Sequence, residues 1–442
     1  MILDVHREGT PRPIGKLIRD EHYGGVSFHY TEAYLAGRGS AISLALPLQM
    51  PPFEDTVSRA FFANLLPEND QLDQVREREG LEADDIVGLL YHLGADCSGA
   101  LSCLPEGSPP VKTPGLLAID YDFISQADIA EIVRRLAERE PLDDLLRDPS
   151  PVAGVQRKVA LVSLPDGSYA FPKPGRHVPT THILKAADAN KPEESNLEYL
   201  SAELARACGL TVCDCEVRNL GDYPALLIRR FDRGFTADGR ISRIHQEDFA
   251  QALGLPPRLK YERRGQPGLR YDLEAIVQVL NRCSAPAVAR RDFLLASLFN
   301  LAIGNNDNHA KNHALLYRTS GAPQLAPLYD LNPIKLDAQY TQELAFNIGA
   351  AKYANDLTVG DYAVLFDRLG LSGGAALRFV NGPLSTLLRQ LDKAANRLLE
   401  GQKPFHDLVA TEARHMIEIL ELDVEFTERD TFQAAGGGWA MS

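Results

Sequence analysis

Apolar positions recur along this chain with two different periods, and the period changes from one stretch to the next. GGVSFHY (24–30) and AISLALPL (41–48) hold alternating or continuous apolar residues between Gly and Pro, which predicts strands. RAFFANLLP (59–67) and ADDIVGLLYHLGA (83–95) space their apolar residues as helices do. EGSPPVKTPG (106–115) is rich in Pro and Gly and predicts a linker, followed by a helical stretch, DIAEIVRRLAERE (128–140). KVALVSL, the turn PDG and SYAFPKP (158–174) carry a hairpin signature, and THILK (181–185) predicts another strand. SNLEYLSAELARACGL (195–210) predicts an amphipathic helix with Leu197, Leu200, Leu204 and Ala207 along one side, stopping at Gly209. EVRNL (216–220) and ALLIRRF (225–231) predict two more strands. After Gln246 the pattern is mainly helical, interrupted by HALLYR (313–318) and the PLYDL turn (327–331).

No period repeats at domain scale, and the order implies three units and a tail. These are a mixed N-terminal unit over 1–110, a linker helix and strand-rich lobe over 111–235, a helical lobe over 236–430, and a flexible tail over 431–442. A small sheet lobe beside a helical lobe predicts a ligand cleft between them. The chain has 442 residues, 45% hydrophobic and 24% charged, which suits an ordinary globular protein with a sizeable core. A formal charge of -14 argues against a broad basic face for nucleic acid, because phosphate neutralisation needs clustered Lys and Arg. The start, MILDVHREGTPRP, lacks a basic region followed by an apolar stretch, and no run is long enough to span a bilayer. A cytoplasmic protein is therefore expected. Six cysteines fit reduced, buried thiols, with Cys213 and Cys215 as two thiols along one strand. The scattered histidines, His6, His22 and His29 among them, have no ligand spacing, and no zinc site is assigned.

The densest polar patch, NNDNHAKNH (305–313), lies between an apolar helix, DFLLASLFNLAIG (292–304), and an apolar strand. A loop mounted on two rigid elements can hold reacting groups still. Asp307 can accept a proton, and Asn312, five residues on, can offer a carbonyl oxygen to Mg2+. The same Asp-x4-Asn spacing occurs in the catalytic loop of protein kinases. The alternative is a polar turn whose Asp and Asn cap neighbouring backbone groups. Asp330, in LAPLYDL, can reach the same cation from the end of the next strand. Lys185, ending HILK, can point a charge at phosphates or stand solvated at a strand end. Glu198 on the following helix could fix it by an ion pair, with Glu194 as a rival. The short loop AGVQRK (153–158) can cradle phosphates by its backbone N–H groups, although it is no Walker A motif. LLIRRFDR (226–233) ends the sheet lobe, where Phe231 could meet an adenine or belong to the core.

Taken in order, VAGVQRK, PTTHILK, RRFDR, HQEDFAQALGLP, IGNNDNHAKN and PLYDL resemble the HipA family. In the N-terminal unit IGKL, FHY, ISLALPL, FFANLLPE and GADCSGAL resemble it too. The family consists of serine/threonine kinases acting as toxins of bacterial type II toxin–antitoxin pairs. The resemblance implies an α+β fold: a protein-kinase-like two-lobed core with an added N-terminal α+β subdomain and a mainly helical C-terminal lobe. It implies ATP and Mg2+ as cofactors. Asp307 would be the catalytic base, and Asn312 and Asp330 the Mg2+ ligands. Lys185 would hold the ATP phosphates. Val152, Ala153, Gly154, Val155, Gln156 and Arg157 would form the phosphate loop. Arg229, Arg230 and Phe231 would form the adenine-side hinge, and His309 and Lys311 would lie near the nucleotide. Known targets in the family are aminoacyl-tRNA synthetases, whose loss halts translation. The partner implied is a small basic helix-turn-helix antitoxin, whose field would complement the acidic chain, with DNA reached only through it.

Two features depart from the family pattern. Many members carry a regulatory Ser directly before the Val-Ala-Gly of the phosphate loop, and its autophosphorylation expels the loop from the ATP site. Here that position is Pro151, which has no hydroxyl, and the nearest Ser is Ser150, displaced by about 3.5 Å of chain. Either Ser150 substitutes or the switch is absent. The stretch after about Leu336 is expected to match the family weakly. Two other functions compete with the kinase: a weakly active kinase-fold protein serving as corepressor with its antitoxin, and a metal-dependent hydrolase built on Asp307 and Asp330.

Overall fold

The structure is a computed structural model that describes residues 1–21, 24–37, 39–67, 70–140, 142, 158–318 and 321–433. The expected phosphate loop, Ser150 and most of the expected flexible tail lie outside the described residues. The chain divides into two compact units. The first comprises residues 1–196, 214–258 and 314–324; the second comprises 197–213, 259–313 and 325–442.

The two largest sheets both belong to the first unit. Strands Ile2–Arg7, Gly15–Arg19, Val26–Tyr30 and Leu101–Pro105 form an antiparallel sheet with Leu101–Pro105 and Gly15–Arg19 flanking the first strand. Its apolar face, with Leu3, Val5, Leu17 and Phe28, packs against Phe61 and Phe62 of the helix Asp55–Ala63 and Leu89 and Leu90 of the helix Ile86–Leu93. The second sheet has six strands, in the order Tyr121–Ile124, Tyr169–Pro172, Lys158–Ser163, His182–Ala186, Tyr223–Arg229, Cys215–Leu220. One face, carrying Val159, Leu161, Leu184, Ala186, Ala225 and Leu227, is covered by Ile129, Ile132, Val133 and Leu136 of the helix Gln126–Glu138. Alternate residues point the other way, because side chains of a strand alternate between faces. Lys185 is one of these, in register with Lys158 and Leu226.

AISLALPL (41–48) forms no strand. Its backbone groups are taken by side chains instead of by a ladder. The Ile42 N–H donates to the Tyr30 hydroxyl at 3.0 Å, and the Leu44 N–H donates to Glu247 Oε1 at 3.0 Å. The Ile42 carbonyl bonds His245 Nε2 at 2.7 Å, and the Leu46 carbonyl accepts from Tyr30 at 2.6 Å. Ile42 and Leu46 are buried by this irregular loop as a strand would bury alternate residues. The presumed linker 106–115 is also held down, since Lys112 is buried with its Nζ 3.1 Å from Asp96.

The second unit is mostly helical. Pro286–Ala302, Ser385–Leu398 and Lys403–Ile419 supply its longest apolar faces. Phe293 packs near Phe346, which meets the buried Tyr271 edge-on at 5.7 Å. Phe346 belongs to a hairpin, Glu343–Ile348 with Ala351–Tyr353, where only helix and turn were expected. The strand buries Leu344, Ala345 and Phe346 consecutively, so it lacks the alternation that marks a strand in sequence. Gly349, at φ +60°, makes its turn.

Candidate active site

The helix Pro286–Ala302 buries nearly every side chain of its last three turns and delivers the chain to the polar patch. Gly304, at φ +71°, reverses the chain there, and a Cβ would stand 2.8 Å from Leu408 Cδ2. The polar residues that follow are largely the fastenings of the loop. Asn305 donates its N–H to the Asn300 carbonyl at 2.8 Å and its Nδ2 to Asn300 Oδ1 at 2.8 Å. Its Oδ1 accepts the Asp307 N–H at 3.1 Å. Asn306 donates to the Gln342 carbonyl at 2.9 Å. Backbone groups that a buried loop would orphan are thus satisfied locally.

Within this frame Asp307 and Asn312 are tied to each other. Asn312 Nδ2 donates to the Asp307 carbonyl at 2.8 Å, and the Asn312 N–H donates to the His309 carbonyl at 2.9 Å, closing the single turn Ala310–Asn312. With Nδ2 committed to that bond, Oδ1 is the atom of the Asn312 amide that can serve as an oxygen ligand. Asp307 Oδ1 accepts a hydrogen bond from the Tyr261 hydroxyl at 2.6 Å. The Tyr329 hydroxyl holds the Lys311 carbonyl at 2.7 Å.

His309 is buried, and burial pushes its imidazole down to about 4. The charges of Asp307 and Asp330 oppose that shift, while that of Lys260 adds to it. His313 is pushed down to about 3, again by burial. Both rings are neutral at pH 7, because an imidazole has lost its proton well above its own pKa. Asp330 was expected at a strand end, but the strand there is only Gln324–Leu325, and Asp330 lies beyond it in irregular chain. Its φ is +57°, a conformation that costs a non-glycine residue about 1 kcal/mol or more. Asn332 Nδ2 donates to its Oδ1 at 3.1 Å. One carboxylate and one amide oxygen suit Mg2+, which binds through one or two protein oxygens and keeps phosphate and water for the rest. Among the described residues no cluster of three His, Cys, Asp or Glu is placed to hold a metal.

Asp307, Asn312, His309, Lys311 and Asp330 all belong to the second unit, as does the buried Glu198. Lys185, Arg229, Arg230 and Phe231 belong to the first unit. Arg230 is engaged inside the protein. Its Nε and Nη2 reach the two oxygens of Asp232 at 2.9 and 2.8 Å, while Arg233 Nη1 approaches the same carboxylate at 2.8 Å. The two guanidinium groups overcome burial and hold the Asp232 carboxyl down at about 2. Arg229 is more exposed and lies 3.7 Å from Asp214, and Phe231 is half-buried. Tyr261 and Lys260 escaped sequence reasoning. The stretch KYERRG (260–265) is conspicuously basic in an acidic chain, which was the available signal.

An α+β chain with a fixed acidic turn of this kind belongs to a recognisable class. The HipA-like C-terminal domain matches residues 150–396, and the HipA N-terminal domain matches residues 3–104. The chain belongs to the HipA family. The match reaches residue 396, well past Leu336, where the resemblance was expected to fade. The chain is 34% identical over 400 residues to Y4mE of Sinorhizobium fredii, named as a kinase, covering 90% of this chain and 92% of that one. It is 28% identical over 396 residues to the serine/threonine-protein kinase toxin HipA of Shewanella oneidensis, covering 87% and 85%. The structure of Shewanella oneidensis HipA in complex with HipB and operator DNA is similar with a TM-score of 0.75 and 26% identity, covering 95% of this chain and 96% of that one. No described helix is long and apolar enough to cross a membrane.

Proposed function

We propose that the protein is an ATP- and Mg2+-dependent serine/threonine kinase of the HipA toxin type. The observation that carries this reading is the turn that ties Asn312 to Asp307 beside an imidazole also acted on by Asp330. Bound Mg-ATP supplies the transferable γ-phosphoryl group. Asn312 Oδ1 and Asp330 would hold the metal, and Lys185 would hold the phosphates as a point charge. Val152, Ala153, Gly154, Val155, Gln156 and Arg157 would be the phosphate loop, and Arg229 to Phe231 the adenine-side hinge, as the resemblance implies. His309, kept neutral by burial, adds no positive charge to the pocket and, with Lys311, borders the nucleotide. Asp307 takes the proton of the acceptor hydroxyl as the acceptor oxygen bonds the γ-phosphorus and ADP leaves.

The acceptor is a cytoplasmic protein, with aminoacyl-tRNA synthetases the class implied by the resemblance, so activity would halt translation. A basic helix-turn-helix antitoxin is the expected partner, since the solved Shewanella relative carries HipB and operator DNA. The test is incubation with Mg-ATP, with and without a bacterial lysate, read by intact mass and peptide mapping beside Asp307→Asn. Transfer should fall in the variant by about 100-fold or more, the usual worth of a general base. Phosphate on Ser150, absent in the variant, would mark a displaced version of the family's self-inhibition. No transfer to the chain or to the lysate would sink the kinase reading and leave a binding protein that acts through its antitoxin.

A further inference from the structure

We propose that Tyr261 is a positioning residue for Asp307, holding one carboxylate oxygen so that the other faces the acceptor hydroxyl. The inference rests on the kinase reading and adds a residue to it. The Tyr261 hydroxyl donates to Asp307 Oδ1 at 2.6 Å. It is well suited to remain a donor. Burial first, then the adjacent Asp307 charge, push the phenol above its usual range, so it keeps its proton at neutral pH. The ring is gripped on several sides. The Arg263 guanidinium stands 3.9 Å from its centroid, a cation–π distance, and His309 meets it edge-on at 5.0 Å.

The turn that carries Tyr261 is itself fixed. The Lys260 carbonyl accepts the Ala310 N–H at 3.1 Å, inside the same turn that ends in Asn312. Glu262 accepts from the Asn347 N–H at 2.6 Å and from Asn347 Nδ2 at 3.0 Å. Arg263 reaches the Leu344 carbonyl at 3.4 Å and lies 3.8 Å from Glu343. A carboxylate on a loop can turn about two side-chain bonds. A phenol anchored to a hairpin and to the loop's own backbone removes that freedom, which is how remote groups raise the rate of a step they do not perform. With Asp307 Oδ1 already accepting from Tyr261, Oδ2 is the more basic oxygen and the one proposed to take the acceptor's proton.

The test is Tyr261→Phe, which keeps the ring against Arg263 and His309 and deletes only the donor. Single-turnover transfer of labelled γ-phosphate from Mg-ATP to bacterial lysate protein is measured in four forms: wild type, Tyr261→Phe, Asp307→Asn and the double variant. The rate constant of Tyr261→Phe should fall by about 10-fold while the apparent KM for ATP stays within about 2-fold. In the Asp307→Asn background the same change should have no further effect, because Tyr261 acts only through that carboxylate. An undiminished rate in Tyr261→Phe, or an equal fall in both backgrounds, overturns the inference and leaves the kinase reading intact. A silent wild type overturns both. If Tyr261→Phe does not fold, Arg263→Gln loosens the ring from its other face. It should then lower the rate in the same direction, and an unchanged rate there counts against the role.

Discussion

At the scale of single residues, the polar groups of this chain divide by what they touch. Asn306 and Asn312 donate their amides to backbone carbonyls, and Asn305 donates to Asn300 Oδ1 while accepting the Asp307 N–H, so the Asp307 carboxylate is not used to fasten its own loop. Glu247 is different. It is fully buried, accepts from the Leu44 N–H and the Tyr317 hydroxyl, and is pushed up to about 7, chiefly by burial. The groups facing it are Ser43, Tyr317 and Tyr30, with Asp248 adding negative charge. Its folded value lies above the ordinary 4.5, so the folded state holds the proton more tightly than the unfolded chain. That stabilisation is complete below the ordinary value and is lost as pH rises through about 7. Glu247→Gln, neutral at every pH and still an acceptor, should therefore be close to wild type at about pH 4.5 and the more stable protein by about 2–3 kcal/mol at about pH 8, the gap opening between those values. Unfolding midpoints at the two pH values decide it; a pH dependence identical to wild type would show that Glu247 is not the titrating group.

At the scale of elements, the junction between the helix Pro286–Ala302 and the loop depends on Gly304. Any Cβ there meets both a left-handed backbone and the Leu408 side chain. Gly304→Ala should cost about 1–3 kcal/mol, and because Asp307 follows three residues later, transfer should fall further than the loss of folded protein explains. Comparing specific activity with the folded fraction by circular dichroism separates the two effects. The helices Asp55–Ala63, Ile86–Leu93, Gln126–Glu138 and Pro286–Ala302 and the hairpin strands Lys158–Ser163 and Tyr169–Pro172 were legible, since their apolar residues recur at the right period. The segment 41–48 and the hairpin at Glu343–Ile348 were not. In the first, Tyr30, His245 and Glu247 compete successfully for the backbone; in the second, burial on both sides erases the alternation.

At the scale of the molecule, distant segments of the first unit are joined by buried charge. Arg243 places Nε 2.9 Å from Glu8 and Nη1 3.2 Å from Asp96, and it also donates to the Leu101 carbonyl at 2.9 Å. Lys112 completes the neutralisation of Asp96. Removing the guanidinium takes the cation from Glu8 and leaves less positive charge against Asp96. Arg243→Leu should cost about 3–5 kcal/mol, and Glu8→Gln in the same chain should recover part of it. Urea denaturation of the single and double variants tests this; a loss below about 1 kcal/mol would mean that the carboxylates reach water or other partners.

The sequence by itself determined the α+β class, the family and the run of residues, Asp307 to Asn312 and Asp330, on which the proposed chemistry rests, because spacing and residue type survive without coordinates. Only the tertiary structure decided that the asparagines are fastenings, that Arg230 is engaged by Asp232, and that Asp330 sits in a left-handed turn. It alone brought Tyr261, 46 positions away in the chain, to 2.6 Å from Asp307. Contacts between residues so far apart depend on how the turns at Lys260 and Ala310 meet, and no local period records that meeting.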